Sequence, residues 1–299
     1  MTTGVFKYID PSSYDANATE PFKKPWGKVD GPGSSFRLLD KSRSVENLRG
    51  QESQFSTDNS GFAVYTSPAQ EKQFTDTSIV TTKYYSEVEA LLRAKLPGIK
   101  KVVIFDHTIR RREQGSPRAP VQLVHVDQTP KAAEVRVRRH LPSDEAEDLL
   151  KGRYQIINVW RPIQNPASDF PLAVIDWRSS DVSDFVKVDL LYPDDTADAA
   201  AGEERAQKPD SGDSTEGYTV KGETYSIAPN EKHRFYYMKD MTPKEVMFIK
   251  CFDSRSSLMT EGKTDIAHGA AHTAFVDPQT PEDAPPRQSI EVRCLVFYE

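Results

Sequence analysis

The sequence predicts a mainly β fold with flanking helices, an antiparallel sandwich or jelly roll. Strand-length apolar stretches recur from residue 100 to the end, bounded by Gly, Pro, Asp and Ser. Helical periodicity is concentrated in the first half. No internal repeat is visible, so one domain with an N-terminal arm is expected: residues 1–60 as the arm, 61–299 as the body.

In order along the chain, residues 1–60 are rich in Pro, Gly, Ser and Asp with scattered aromatics (Phe6, Tyr8, Tyr14, Phe22, Trp26). An irregular arm anchored on the core by those rings follows from this. Val88, Leu91, Leu92 and Leu96 recur at helical spacing, and Pro97-Gly98 closes that helix, begun at Tyr84. Lys100–Phe105 reads as a strand. Arg110-Arg111-Arg112 then opens a loop to Pro120, as a solvated surface or as a lid or anchor for an anionic substrate. Val121 begins a short apolar strand. Thr129-Pro130 caps a helix to His140, and a second helix follows Ser143, whose acidic first turn answers the unpaired amides, and closes at Gly152. Tyr154–Trp160, Pro171–Trp177 and Phe185–Tyr192 read as strands. The segment 193–217 is acidic, small and polar with nothing to bury, and reads as a mobile loop between two strands. Strands are expected again at Tyr218–Ala228, Arg234–Met238, Phe248–Phe252 and Ser289–Tyr298, with a short capped helix at Thr242-Pro243-Lys-Glu-Val.

Composition narrows the function. The 299 residues suffice for a sizeable core. A net charge of −6 argues against nucleic acid as the main partner, because phosphate binding wants a basic face. Two cysteines, Cys251 and Cys294, both in apolar runs, read as buried thiols in a reducing compartment. No apolar run is long enough to span a bilayer, and the N-terminal residues lack a secretory signal pattern. A cytoplasmic protein without nucleic-acid or membrane partner is expected, and a homodimer is compatible with it.

The chemistry centres on His125-Val-Asp127. In an extended strand residues i and i+2 share a face, so the imidazole and the carboxylate converge while Val126 turns away. His268 and His272 are rivals for a third ligand; the apolar flanks of His272 favour it. Two His and one carboxylate on one face of an iron leave three positions open. Arg287 and Ser289 share a strand face by the same alternation, and a guanidinium beside a hydroxyl suits a carboxylate. Arg161 and Asn158, on a buried-looking strand, are candidate substrate contacts; an ion pair and a hydrogen-bonded core amide are their structural readings.

The order His-x-Asp, long gap, His, short gap, Arg-x-Ser resembles the iron(II)/2-oxoglutarate-dependent oxygenases on the double-stranded β-helix (jelly-roll) fold. The words Asn158-Val-Trp-Arg-Pro-Ile163, Pro171-Leu-Ala-Val, Asp253-Ser254, His272-Thr-Ala-Phe and Pro286-Arg-Gln-Ser-Ile-Glu-Val-Arg293 sharpen this. Together they look like the fungal hydroxylase/desaturase group related to cephem methoxylase small-chain proteins and gibberellin desaturases, over residues 100–299. The resemblance implies Fe(II) at His125, Asp127 and His272, with 2-oxoglutarate anchored through its far carboxylate by Arg287. It also implies dioxygen and a small molecule of secondary metabolism as substrates, with hydroxylation, desaturation or ring closure as outcomes. The competing readings are a jelly-roll metal enzyme that does not use 2-oxoglutarate and a non-catalytic β-sandwich binding protein. Arg287-Gln-Ser289 speaks against the first, which needs no anion anchor there.

Overall fold

In a computed structural model, which describes residues 1–29, 32–112, 120–194, 212, 214–259 and 262–299, the strands fall into two sheets. In chain order they are β1 (Thr2–Ile9), β2 (Trp26–Lys28), β3 (Leu38–Asn47), β4 (Phe62–Thr66) and β5 (Ile99–Arg111). Next come β6 (His125–Val126), β7 (Tyr154–Pro162), β8 (Leu172–Ile175), β9 (Phe185–Pro193) and β10 (Tyr218–Ile227). β11 (Phe235–Tyr237), β12 (Glu245–Asp253), β13 (His272–Ala274) and β14 (Gln288–Tyr298) complete the set. The larger sheet runs β1-β3-β11-β8-β13-β6-β10-β9-β2 and the smaller β4-β12-β7-β14-β5. Pairing is antiparallel except at β3–β11 and β2–β9. The larger sheet curls, since Lys7 of β1 bridges Leu123 just before β6. This is a jelly roll.

The smaller sheet is covered on both faces, which is why all nine residues of β7 are buried. Alternation sorts its side chains. Ile156, Trp160, Leu295 and Phe297 face the core between the sheets. Ile157, Val159, Ile163, Val292 and Cys294 face a helical layer that supplies Val80, Tyr84, Val88 and Leu92. That layer is α1 (Thr77–Ile79), continued by five π-helical residues into α2 (Tyr85–Lys95). Burying each aliphatic side chain there stabilises by about 1.5–3 kcal/mol. Immediately after β6 comes α3 (Pro130–His140), capped by Thr129 Oγ1, which accepts from the Ala132 amide at 3.2 Å; α4 (Ser143–Leu149) follows. Both cysteines are buried and free, as expected.

Several elements differ from the sequence expectation. The segment 1–60 is not irregular: it supplies β1, β2 and β3. β1 buries Thr2, Gly4, Phe6 and Tyr8 while Val5 is exposed, so its inward face is half polar and its alternation hides. β5 continues through Arg110 and Arg111, held by pairing with Ser289 and Gln288. No helix forms at Thr242. The Glu245 carboxylate does accept from the Thr242 amide at 2.8 Å, but Glu245 already pairs with Thr66 as β12 starts, and the sheet overrides the local cap. The acidic segment 193–217 lies largely outside the described residues; its ends join the antiparallel pair β9 and β10.

Candidate active site

The register of three short strands builds the site. His272 of β13 lies directly opposite His125 of β6, so both rings project from one face of the larger sheet, 4.4 Å apart between centroids. Asp127 follows β6 on the turn into α3. The ligand atoms of His125, Asp127 and His272 all lie within 4.8 Å of one another. His125 Nε2 is 3.3 Å from Asp127 Oδ1.

Each imidazole is fixed by its other nitrogen. His125 Nδ1 is 2.8 Å from the Leu123 carbonyl oxygen, and His272 Nδ1 is 3.0 Å from that of Ala270. A carbonyl only accepts, so both Nδ1 atoms carry the proton and both Nε2 lone pairs face the shared point. Burial works to raise the Asp127 carboxyl, but the His125 hydrogen bond and the charges of Arg293 and His272 hold it well below the usual carboxylate range. Burial and the neighbouring His125 push His272 down, favouring the neutral ring. His125 goes the other way: burial lowers it, but the Asp127 hydrogen bond and charge prevail and raise it. Two imidazole nitrogens and one carboxylate oxygen at one point suit a divalent first-row metal.

Opposite this triad stands the inner face of β7 and β14. Arg287 sits just ahead of β14, 4% exposed, with its guanidinium 5.8 Å over the Trp160 ring. Its backbone N–H donates to Asp169 Oδ2 at 3.0 Å, and Nη1 donates to the Phe170 carbonyl at 2.6 Å. Nε is buried without a partner. Burial and the nearby Arg110 push its pKa down to about 10. A buried cation with a spare donor fits an anionic ligand. Ser289, buried at the start of β14, follows on the same face.

The remaining sequence candidates separate. Asn158 reaches the triad, but as a partner of Asp127: its Nδ2 donates to Oδ2 at 2.8 Å. Arg161 does not reach it. One residue out of step with Trp160, it points to the helical side, where it donates to Tyr84 Oη at 2.9 Å and to the carbonyls of Ser67 and Pro243 at 2.7 and 3.0 Å. A cleft of about 290 Å³ beside Arg161, also lined by Phe74, Ile163 and Pro243, has no residue of the triad in its lining. His268 is outside the triad too. It is caged by Trp177, Tyr225 and Phe252, bonded through Nδ1 to Ser256 Oγ at 2.7 Å, and pushed by burial to a pKa of about 3. Arg112 pairs with Asp169 at 2.6 Å, and Arg111 with Gln288.

Arg293 is a second basic residue of the last strand that could compete with Arg287 for a carboxylate but lacks its Arg-x-Ser spacing, and Glu291 carries no assignment from the sequence. Both share the Ser289 face by alternation, the one signal that could have found them. Arg293 donates to Glu291 Oε1 at 2.6 Å, Thr108 Oγ1 at 2.9 Å and Asp106 Oδ2 at 3.1 Å, and its Nε is 3.5 Å from Asp127 Oδ2.

A family model described as oxidoreductase/YMDC permease-like domain matches residues 6–297. Hydroxylase/desaturase efuI of Hormonema carpetanum is 32% identical over 271 residues, covering 85% of this chain and 83% of the relative. The Fe(II)/2-oxoglutarate-dependent dioxygenase nvfI of Aspergillus novofumigatus is 33% identical over 224 residues, covering 74% and 69%. A solved structure of the iron and alpha-ketoglutarate-dependent endoperoxidase NvfI superposes with a TM-score of 0.76 at 25% identity, over 99% of this chain and 98% of that one.

Proposed function

Because this chain belongs to the oxidoreductase/YMDC permease-like domain family and to its fungal hydroxylase/desaturase relatives, we propose that His125, Asp127 and His272 hold its iron and that Arg287 and Ser289 anchor its 2-oxoglutarate. The protein is an iron(II)/2-oxoglutarate-dependent oxygenase acting with dioxygen on a small molecule of secondary metabolism. The observation that carries the residue assignment is the convergence of three ligand atoms, two of them lone pairs aimed by backbone carbonyls, opposite a buried guanidinium with an unused donor.

Held together, iron and 2-oxoglutarate would activate dioxygen, the oxidant, with 2-oxoglutarate giving up two electrons as it becomes succinate and carbon dioxide; hydrogen would then be removed from an unreactive carbon, with hydroxylation, desaturation or cyclisation as outcomes. The residues of this chain prepare for that chemistry. The Leu123 and Ala270 carbonyls hold both imidazoles in the ligating tautomer. His125 Nε2 and Asp127 Oδ1, 3.3 Å apart, would hold a divalent cation as a neutral imidazole and a carboxylate. Arg287 meets a carboxylate with a charge-assisted bond from Nε, and Ser289 offers a neutral one beside it. Trp160 covers the guanidinium and keeps water from competing for it.

Asn158 and Arg161, the substrate contacts suggested by the sequence, have other partners here. The smaller assignments follow from charge and packing. We place the protein in the cytoplasm, where its two buried cysteines stay free, without a nucleic-acid partner on its charge of −6 and without a membrane partner; among the described residues no helix is long and apolar enough to cross a membrane. We take residues 61–299 as the body of the oxygenase domain, with the strands of 1–60 built into its larger sheet, and a homodimer as the assembly to test by light scattering. The deciding experiment is anaerobic titration of Fe(II) and 2-oxoglutarate, read by the weak visible charge-transfer band. The parent chain is expected to develop the band and Asp127→Ala to lose it. A parent chain without the band, or a band retained by folded Asp127→Ala, would overturn the assignment.

A further inference from the structure

The two oxygens of Asp127 are treated differently by their surroundings. Oδ1 faces His125 Nε2 at 3.3 Å, toward the point where the three ligand atoms meet. Oδ2 turns away and receives Asn158 Nδ2 at 2.8 Å, with Arg293 Nε at 3.5 Å. Those two donors come from adjacent strands of the opposite sheet. Asn158 and Arg293 are direct cross-strand partners in the β7–β14 register, so their side chains leave the smaller sheet side by side.

We infer that Asn158 and Arg293 are a positioning pair that clamps Asp127 Oδ2 across the barrel, so that the carboxylate offers the metal only Oδ1. The inference rests on the triad being the metal site. Its consequence is a coordination count. A carboxylate left free can swing to ligate through both oxygens, which with two imidazoles fills four positions of an octahedral ion. Held through Oδ2 it fills one, the protein fills three, and three stay free, which is what a chelating oxo acid plus dioxygen requires.

The clamp is itself braced. Arg293 is fixed by Glu291, Asp106 and Thr108, so its fork cannot rotate off Asp127 without giving up three further contacts. Asn158 is fully buried, and its Oδ1 has no partner. An amide placed in a core with one end unsatisfied costs free energy unless its other end does something, and here that end meets only Asp127. The arrangement also explains why an asparagine sits in the middle of a strand whose other inward residues are aromatic or aliphatic.

The test uses Co(II) as a spectroscopic probe on the metal-free full chain, without turnover. Asn158→Ala and Arg293→Lys are each compared with the parent for Co(II) affinity and for the position and intensity of the visible ligand-field bands, with melting curves to confirm folding. Loss of a contact that orients a ligating carboxylate is expected to lower affinity about 10- to 100-fold. The bands should shift as Oδ2 becomes free to bind. Arg293→Lys keeps the charge and loses the fork, so it carries the test if Asn158→Ala does not fold. Folded variants with the parent's bands overturn the clamp, whatever their affinity. A parent chain that takes up no Co(II) overturns the metal reading, and the clamp with it.

Discussion

Replacing Arg287 by Met separates co-substrate binding from metal binding and puts a number on the anchor. The guanidinium is 4% exposed, and a fall in pKa from 12.5 to about 10 corresponds to about 3 kcal/mol of penalty for holding that charge in the folded protein. At neutral pH, below both values, the penalty is present in full. An anion at Nε offsets it and adds a charge-assisted bond. Removing one partner of such a buried pair costs about 2–5 kcal/mol, or roughly 30-fold to a few thousand-fold in the dissociation constant of 2-oxoglutarate. In the ligand-free protein two effects oppose each other. Arg287→Met removes the uncompensated charge but also the 2.6 Å bond to the Phe170 carbonyl, so its stability should stay within about 2 kcal/mol of the parent. The assay is calorimetric titration of 2-oxoglutarate into the anaerobic Fe(II) protein, alongside metal affinity and melting temperature. Binding of 2-oxoglutarate within threefold of the parent would refute the reasoning, since no buried cation could then be meeting its carboxylate.

Two further outcomes are expected. Burial works to raise the Asp253 carboxyl, yet Lys250 and Arg153, each 2.7 Å away, prevail and hold it at about 2. Because the folded value is depressed, the associated stability of about 2 kcal/mol is present above pH 4 and is lost as pH falls toward 2. Asp253→Asn should flatten that acid limb and, by weakening the pairing of fully buried Lys250, cost about 3–5 kcal/mol at pH 7 in urea unfolding. An unchanged acid limb would contradict the assignment. Gly61 has φ +84°, and a Cβ there would come within 3.0 Å of the Ala270 nitrogen. Gly61→Ala should cost about 1–3 kcal/mol and, because the Ala270 carbonyl orients His272, should also weaken metal binding. A destabilised variant with the parent's metal affinity would break that link.

What the sequence determined by itself was the chemistry and the strand-rich plan. His125-x-Asp127 needs only period-2 geometry to converge, and Arg287-x-Ser289 obeys the same rule, so both could be read without knowing where the strands lay. The helix after Thr129-Pro130 was legible because capping is local, and β7 because its apolar run is unbroken. Tertiary structure decided whatever depends on partners. His272 rather than His268 joins the triad, as its apolar flanks suggested, but what puts it there is its register opposite His125. Arg161 was lost to the helical side because alternation gives its parity relative to Trp160 but not which face is the inside. Asn158 and Arg293 converge on one oxygen only because β7 and β14 pair, and β1 forms because a sheet edge and Leu123 receive it. Local rules travel with the sequence, whereas pairing between distant strands is a property of the closed barrel.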